Sequence, residues 1–287
     1  MGGGGKRLRP ALLLLSARYC GYQGPGAVRL AAVIELIHSA TLIHDDVIDG
    51  ADTRRGRPSA NARWGNHRSV LAGDWLYMRS FRMALEEHDF RILDILIEIT
   101  QHMVEGELLQ LAKLGRLDVT EKEALEMATY KTACLFSGCT RLGAVLGRRG
   151  KRAEDALAEY GRFAGLAFQL VDDLLDFTAS PKQLGKPVLS DLKEGKVTLP
   201  LIYAMENGNR AGRTLVATVL AEKDFLSVRP EEIASLVRES GALDRSMELA
   251  QQYARRAKAS LDGAVDAEGD LARALLAVPD FILERES

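Results

Sequence analysis

The chain has 287 residues, a formal net charge of -2, 47% hydrophobic and 27% charged residues, and only 6% aromatics. Near-neutral charge excludes a global field that would recruit nucleic acid or an acidic membrane, so any anionic ligand must be held by local bases. Three cysteines, Cys20, Cys134 and Cys139, with no Cys-x-x-Cys, argue against a disulfide framework or zinc site and fit a reducing, cytoplasmic compartment.

The chain opens on four glycines and the basic run Lys6-Arg7-Leu8-Arg9. Glycine permits close backbone approach, and Lys and Arg are the usual phosphate partners. By itself this reads equally well as a solvated basic terminus. The apolar run Ala11 to Leu15 is too short for a signal peptide, and no stretch is expected to span a bilayer. Residues 27–49 carry apolar side chains nearly all round, which predicts a buried helix. It ends in Asp45-Asp46-Val47-Ile48-Asp49. Residues three and four apart share a helix face, so Asp45 and Asp49 stack, with Asp46 beside them. His38 lies two turns before Asp45 on the same face, as a satisfied core histidine or as a ligand.

A polar loop over residues 50–65 holds Arg54 and Arg55. Helices are predicted over residues 69–86, with Trp75, Leu76, Met78, Phe81 and Met83 as an apolar face, and over 91–114. In the second of these, Glu105, Glu107 and Gln110 are polar insertions with a supporting role. Thr120 and Glu123 have capping-box spacing and start another helix. Lys131 follows among small and apolar neighbours, where an unpaired ammonium is costly. Gly138, Gly143 and Gly147 predict close helix contacts.

A helix over residues 155–177 carries the second cluster, Asp172-Asp173-Leu174-Leu175-Asp176, preceded by Gln169. Its loop, 180–196, contains Lys186 and Lys196. The remainder reads as shorter amphipathic helices, without strand alternation, solenoid repeat or composition shift. The expectation is one all-α domain over residues 1–287.

A lone DDxxD is more often a solvated helix end than a site. Two copies ending apolar helices, each followed by a Gly-base-Pro loop, read instead as two halves of a metal–diphosphate site. Crowded carboxylates favour a cation between them. Mg²⁺ typically takes one or two carboxylates plus substrate phosphates.

The runs GGKRLRP, HDDVIDGADTRRGRP, GDWLYMRSF, KTACLF, AFQLVDDLLDF and GKPVLSDLKEGKVTLPLI, in this order, resemble the trans-isoprenyl diphosphate synthases, the polyprenyl synthetase family. The resemblance covers nearly the whole chain. It implies the isoprenoid synthase fold, a helical bundle around a deep central cavity, usually as a homodimer. It also implies an N-terminal segment ahead of the glycine-basic loop, which this sequence lacks.

By the same resemblance, Lys6, Arg9, His38 and Arg55 hold isopentenyl diphosphate. Asp45, Asp49 and Asp172 bind Mg²⁺, with Asp46, Asp173 and Asp176 as additional or supporting ligands. Arg54, Lys131, Thr132, Gln169, Lys186 and Lys196 surround the allylic diphosphate, with Lys131, Lys186 and Lys196, beside Asp45 and Asp172, as the catalytic set. The implied reaction is ionisation of an allylic prenyl diphosphate and its condensation with isopentenyl diphosphate, the product leaving through transient membrane contact. Ala40 and Thr41, one turn before the first cluster, are small where an aromatic residue gives short products in this family, so a long-chain all-trans product is expected. Trp75, Met78 and Phe81 are candidates for a deeper floor. A short-chain farnesyl or geranylgeranyl synthase, a class I terpene cyclase and a non-catalytic synthase subunit are the alternatives. A di-iron bundle would need a second Glu-x-x-His beside Glu35–His38, and the sequence has none.

Overall fold

The computed structural model of the chain describes residues 7–54, 56–178, 188–206, 210–264 and 269–285. Lys6, Arg55 and Lys186 of the expected site lie outside the described residues.

The architecture is all-α. In chain order come α1 (Leu8–Tyr19), α2 (Gly26–Ile48), α3 (Ala60–Trp64), α4 (Asn66–Leu85), α5 (Phe90–Lys113), α6 (Glu121–Ala128), a π-helical turn (Thr129–Ala133), α7 (Cys134–Leu146) and α8 (Gly150–Thr178). Shorter helices follow: Ser190–Lys193, Leu199–Ala204, Arg210–Glu222, Pro230–Glu239, Ala242–Ser260 and Asp270–Leu283. One two-stranded antiparallel ladder, Thr53–Arg54 with Arg57–Pro58, closes the loop after α2.

α2 is the longest apolar segment among the described residues and, contrary to the sequence expectation, is long and apolar enough to cross a membrane. It is instead a core helix. Leu30, Val33, Ile34 and Ile37 are fully buried, and it packs on α1, α4 and α7. Water exclusion on this scale is worth about 1.5–3 kcal/mol per large side chain, which explains why so apolar a helix holds two aspartates at its end. α8 packs on α7 and on Ala242–Ser260 and buries Leu157, Tyr160, Phe163, Leu166, Leu170 and Val171.

The expected glycine contacts are present. A Cβ on Gly143 would lie 2.6 Å from Ser16 Cβ, so α7 and α1 touch backbone to backbone there. The capping box at Thr120 and Glu123 forms, with Glu123 accepting from the Thr120 backbone N–H at 2.9 Å. Trp75 and Met78 depart from expectation. They are 64% and 65% exposed on the outer side of α4 and form no floor of an interior cavity. Only every third or fourth residue of an amphipathic helix faces inward, and here those residues are Ser69, Gly73, Leu76, Ser80 and Ala84.

Candidate active site

The last turn of α2 sets Asp46 apart from Asp45 and Asp49, which share a face. Asp46 is 3% exposed and accepts from Arg54 Nε at 2.7 Å. The Thr53–Arg54 ladder positions that guanidinium. Burial raises the Asp46 carboxyl, and Arg54 pulls it back. Asp45 points the other way. Burial pushes its carboxyl up to about 6, the nearby Lys131 ammonium lowering it and Glu107 and Asp49 adding to the rise. Asp49 meets Lys196 Nζ at 3.4 Å.

The last turns of α8 distribute their acids differently. Asp173 accepts from Gln169 Nε2 at 2.8 Å, and Gln169 Oε1 accepts from Thr132 Oγ1 at 2.7 Å. Burial pushes the Asp173 carboxyl well up, helped by Asp191, Asp172 and Asp176. Asp176 is 1% exposed, and its carboxylate accepts from Ser190 Oγ at 3.1 Å and from the Asp191 backbone N–H at 3.3 Å. These bonds hold the start of the Ser190–Lys193 turn. Asp172 keeps an open carboxylate and takes a contact from Arg285 at 3.3 Å.

Lys196 joins the two halves. Besides Asp49 it meets Glu194 at 2.6 Å, and Asp191 lies close enough to act on it. Burial opposes its ammonium, but Glu194 and Asp49 outweigh that and hold its pKa above the ordinary lysine value. Lys196 therefore ties the end of α2, through Asp49, to the turn that Asp176 of α8 holds.

A second basic cluster lies beside Asp172. Arg9 is buried, contacts His38 Nε2 at 3.3 Å, and stacks over Phe136 at 4.9 Å and Phe168 at 5.6 Å. Burial draws its pKa below the ordinary guanidinium value, against Glu35 and Asp172 among others. Arg285 stacks over Phe168 at 4.1 Å with its side chain 8% exposed. Arg9 Nε, Arg285 Nε and one Arg285 terminal nitrogen are buried with no hydrogen-bond partner among the described residues. Two guanidiniums this close to Asp172 make a local cationic field suited to an anion.

Sequence reading missed Arg285. It lies far from every motif, in a charged run at the chain end, and nothing in its local pattern marks it. Glu107 was given only a supporting role. It accepts from Lys131 Nζ, which solves the problem of an ammonium among apolar neighbours.

The donor set suits a hard divalent cation, because Asp45, Asp49 and Asp172 offer only carboxylate oxygens. Among the described residues no three Asp, Glu, His or Cys side chains come together as a metal cage. An ion here would take only one or two ligands from each half and the rest from substrate, as Mg²⁺ does beside phosphates. The Glu35–His38 pair offers no di-iron site either, since Glu35 pairs with Arg7 and His38 with Arg9.

An all-helical body with two aspartate-tipped helices, each beside its own buried cation, fits a diphosphate-handling enzyme of the isoprenoid synthase fold. The polyprenyl synthetase family model matches residues 1–238. An octaprenyl diphosphate synthase of Escherichia coli K12 is 40% identical over 259 residues, spanning 90% of this chain and 80% of that protein. A polyprenyl synthase from Caulobacter crescentus CB15, solved in complex with calcium and isoprenyl diphosphate, matches with a TM-score of 0.94 at 38% identity, over 100% of this chain and 87% of that one. A decaprenyl diphosphate synthase from Rhodobacter capsulatus gives 0.92 at 38% identity, over 100% and 88%. The chain belongs to the polyprenyl synthetase family and is a prenyltransferase.

Proposed function

We propose that this enzyme extends an allylic prenyl diphosphate with isopentenyl diphosphate and repeats the step to a long all-trans product. The observation that carries this is the pairing of two different cationic pockets around the aspartates. Lys131 and Lys196 stand beside Asp45 and Asp49, while Arg9 and Arg285 stand beside Asp172. Two diphosphates need two such pockets, whereas a terpene cyclase ionises one. Both aspartate clusters are intact, which also separates the chain from a non-catalytic subunit.

In the step itself the allylic C–O bond breaks and its electron pair leaves with the diphosphate. Charge gathers on the leaving group, and Lys131 and Lys196 are placed to stabilise it in a desolvated setting. Arg9, His38 and Arg285 bind the second diphosphate, with Phe168 and Phe136 as their platform. The isopentenyl double bond then attacks the allylic cation, and the new cation gives a proton to the departed diphosphate, leaving a product five carbons longer. Asp45, Asp49 and Asp172 would hold Mg²⁺, which would supply neutralising charge for the departing diphosphate. Asp46, Asp173 and Asp176 hold loops and neighbouring side chains in place rather than the ion.

The long-chain reading has a structural handle. Ala40 has no exposed surface and sits with Ile43 and Leu76 in a small cluster bounded by Leu36 and Tyr77. An aromatic side chain there would intrude on whatever space lies beside α2. Ala40→Phe is expected to shorten the longest product made from labelled isopentenyl diphosphate. An unchanged product ladder removes Ala40 from the cavity wall. The same chromatography on the wild-type chain alone tests the main reading, which fails if no extended product forms.

The homodimer reading is supported by an exposed apolar stripe. Leu71, Trp75 and Met78 on α4 and Ile97, Val104 and Leu108 on α5 are each more than half exposed. Helical spacing puts each trio along one side, a surface suited to its own copy. Analytical ultracentrifugation should give twice the 31.4 kDa chain mass, and Trp75→Glu should reduce it toward one.

A further inference from the structure

We infer that Glu107, assisted by Gln110, is a positioning residue that sets the Lys131 ammonium for the allylic diphosphate; this rests on the role proposed above for Lys131. Glu107 is 9% exposed, an unusual place for a carboxylate, on the inward stripe of α5 that carries Ile92, Ile95, Leu96, Ile99 and Met103. Three side chains close a ring. Lys131 Nζ donates to Glu107, and also to Gln110 Oε1 at 3.3 Å, while Gln110 Nε2 donates to the other Glu107 oxygen at 3.2 Å.

The backbone is built to bring these groups together. Gly106 lies against the π-helical turn, where a Cβ would come 2.7 Å from the Lys131 backbone nitrogen and 2.9 Å from Tyr130 Cβ. The π-helical turn spans both Lys131 and Thr132, and π turns are frequent at functional sites. From there consecutive side chains reach different helices, Lys131 going to Glu107 on α5 and Thr132 to Gln169 on α8.

Lysine is a point charge on four rotatable bonds and is loosely placed unless something restrains it. Asp45 is near enough to compete for it. Glu107 behind the ammonium and Gln110 beside it restrict that freedom before substrate arrives. The Glu107 carboxylate also balances the partly buried Lys131 charge before substrate binds. The diphosphate then meets an ammonium already in place, which is where binding freedom is otherwise lost.

The test is a double-mutant cycle on the full chain, with steady-state kinetics for each substrate. Glu107→Gln keeps the shape and removes the charge. It should lower kcat/KM for the allylic diphosphate about tenfold or more, with KM for isopentenyl diphosphate unchanged. In a Lys131→Met background the same change should have no further effect on the allylic substrate. A Glu107→Gln enzyme with normal allylic kinetics, beside a crippled Lys131→Met enzyme, overturns the inference and leaves the Lys131 role standing. A Lys131→Met enzyme with normal kinetics overturns both. Additive losses show that Glu107 acts apart from Lys131 and also overturn it. If Glu107→Gln fails to fold, Gln110→Met carries the test. It should give a smaller loss confined to the allylic substrate, and no loss, or equal losses for both substrates, overturns the inference.

Discussion

At the end of α2 the middle acid, Asp46, is drawn inward against Arg54, and Asp45 and Asp49 are left for the site. At the end of α8 Asp173 and Asp176 are the drawn-in residues, and Asp172 alone keeps a solvent-facing carboxylate. The spacing of acids is identical in the two clusters, so helix geometry does not create the difference. The partners do: Gln169, one turn back on α8, takes Asp173, and the chain that follows each helix takes Asp46 and Asp176. After α2 a short ladder returns Arg54 beneath the cluster, whereas after α8 the backbone of Asp191 and the hydroxyl of Ser190 fold back onto the final acid. Each cluster uses some of its carboxylates to hold neighbouring structure, Arg54 for Asp46, Gln169 for Asp173 and the Ser190 turn for Asp176, and leaves the rest for ligand.

The largest break in this division should come from the open acids. Asp45→Ala or Asp172→Ala is expected to lower turnover by roughly 10²-fold or more, the scale on which fixed electrostatic groups act in a desolvated site. Far-UV circular dichroism should still show a helical protein. Wild-type turnover in either variant would end the assignment of that aspartate as a ligand.

The drawn-in acids should behave otherwise. Asp176→Ala removes the acceptor for Ser190 and Asp191, each bond being worth about 1–3 kcal/mol when a buried partner is left unsatisfied. Thermal melting should fall by several degrees. The allylic KM should rise, because Lys196 follows that turn, while the midpoint of Mg²⁺ titration stays close to wild type. A shifted metal midpoint with normal melting would make Asp176 a direct ligand. Arg54→Ala should be milder in turnover. It leaves Asp46 buried and unpaired, so its melting temperature should drop and partly recover in an Arg54→Ala, Asp46→Asn double variant. No recovery would mean that the pair does not hold the loop.

Much of this arrangement was legible in the chain itself. Apolar periodicity located α2, α4, α5 and α8 within a few residues of their ends, because each buries a continuous face. The two acid clusters and Lys131, Lys196, Arg9 and His38 were visible as motif residues, and the structure brings them together. Three things were not visible. The division of labour within each cluster depends on loops that return across space. Arg285 reaches Phe168 and Asp172 only because the helix Asp270–Leu283 packs on α8. The outward turn of Trp75 and Met78 follows from which stripe of α4 meets α2, and Gly73, seated against the His44 ring, fixes that stripe. Composition alone could not separate an inward apolar face from an outward one.

The finest test of the comparison uses pH and the metal-free protein. In the native state burial holds the Asp45 carboxyl at about 6, against an ordinary value of 3.8. Between those values the native chain binds a proton at Asp45 that the unfolded chain has lost. Stability from this group is therefore greatest below its ordinary value, falls as pH rises through the window, and stays lower above it. Asp45→Asn cannot ionise and lacks the penalty. With chelator present, its melting temperature relative to wild type should climb from about pH 4 to about pH 6 and then level off. Mg²⁺ should reverse the ranking above that window, because an ion that binds only the folded state stabilises it by mass action and needs the ionised carboxylate. A gap between the two proteins that does not change with pH would place Asp45 in bulk-like water. The α2 cluster would then lose the feature that makes it a cation site rather than a solvated helix end.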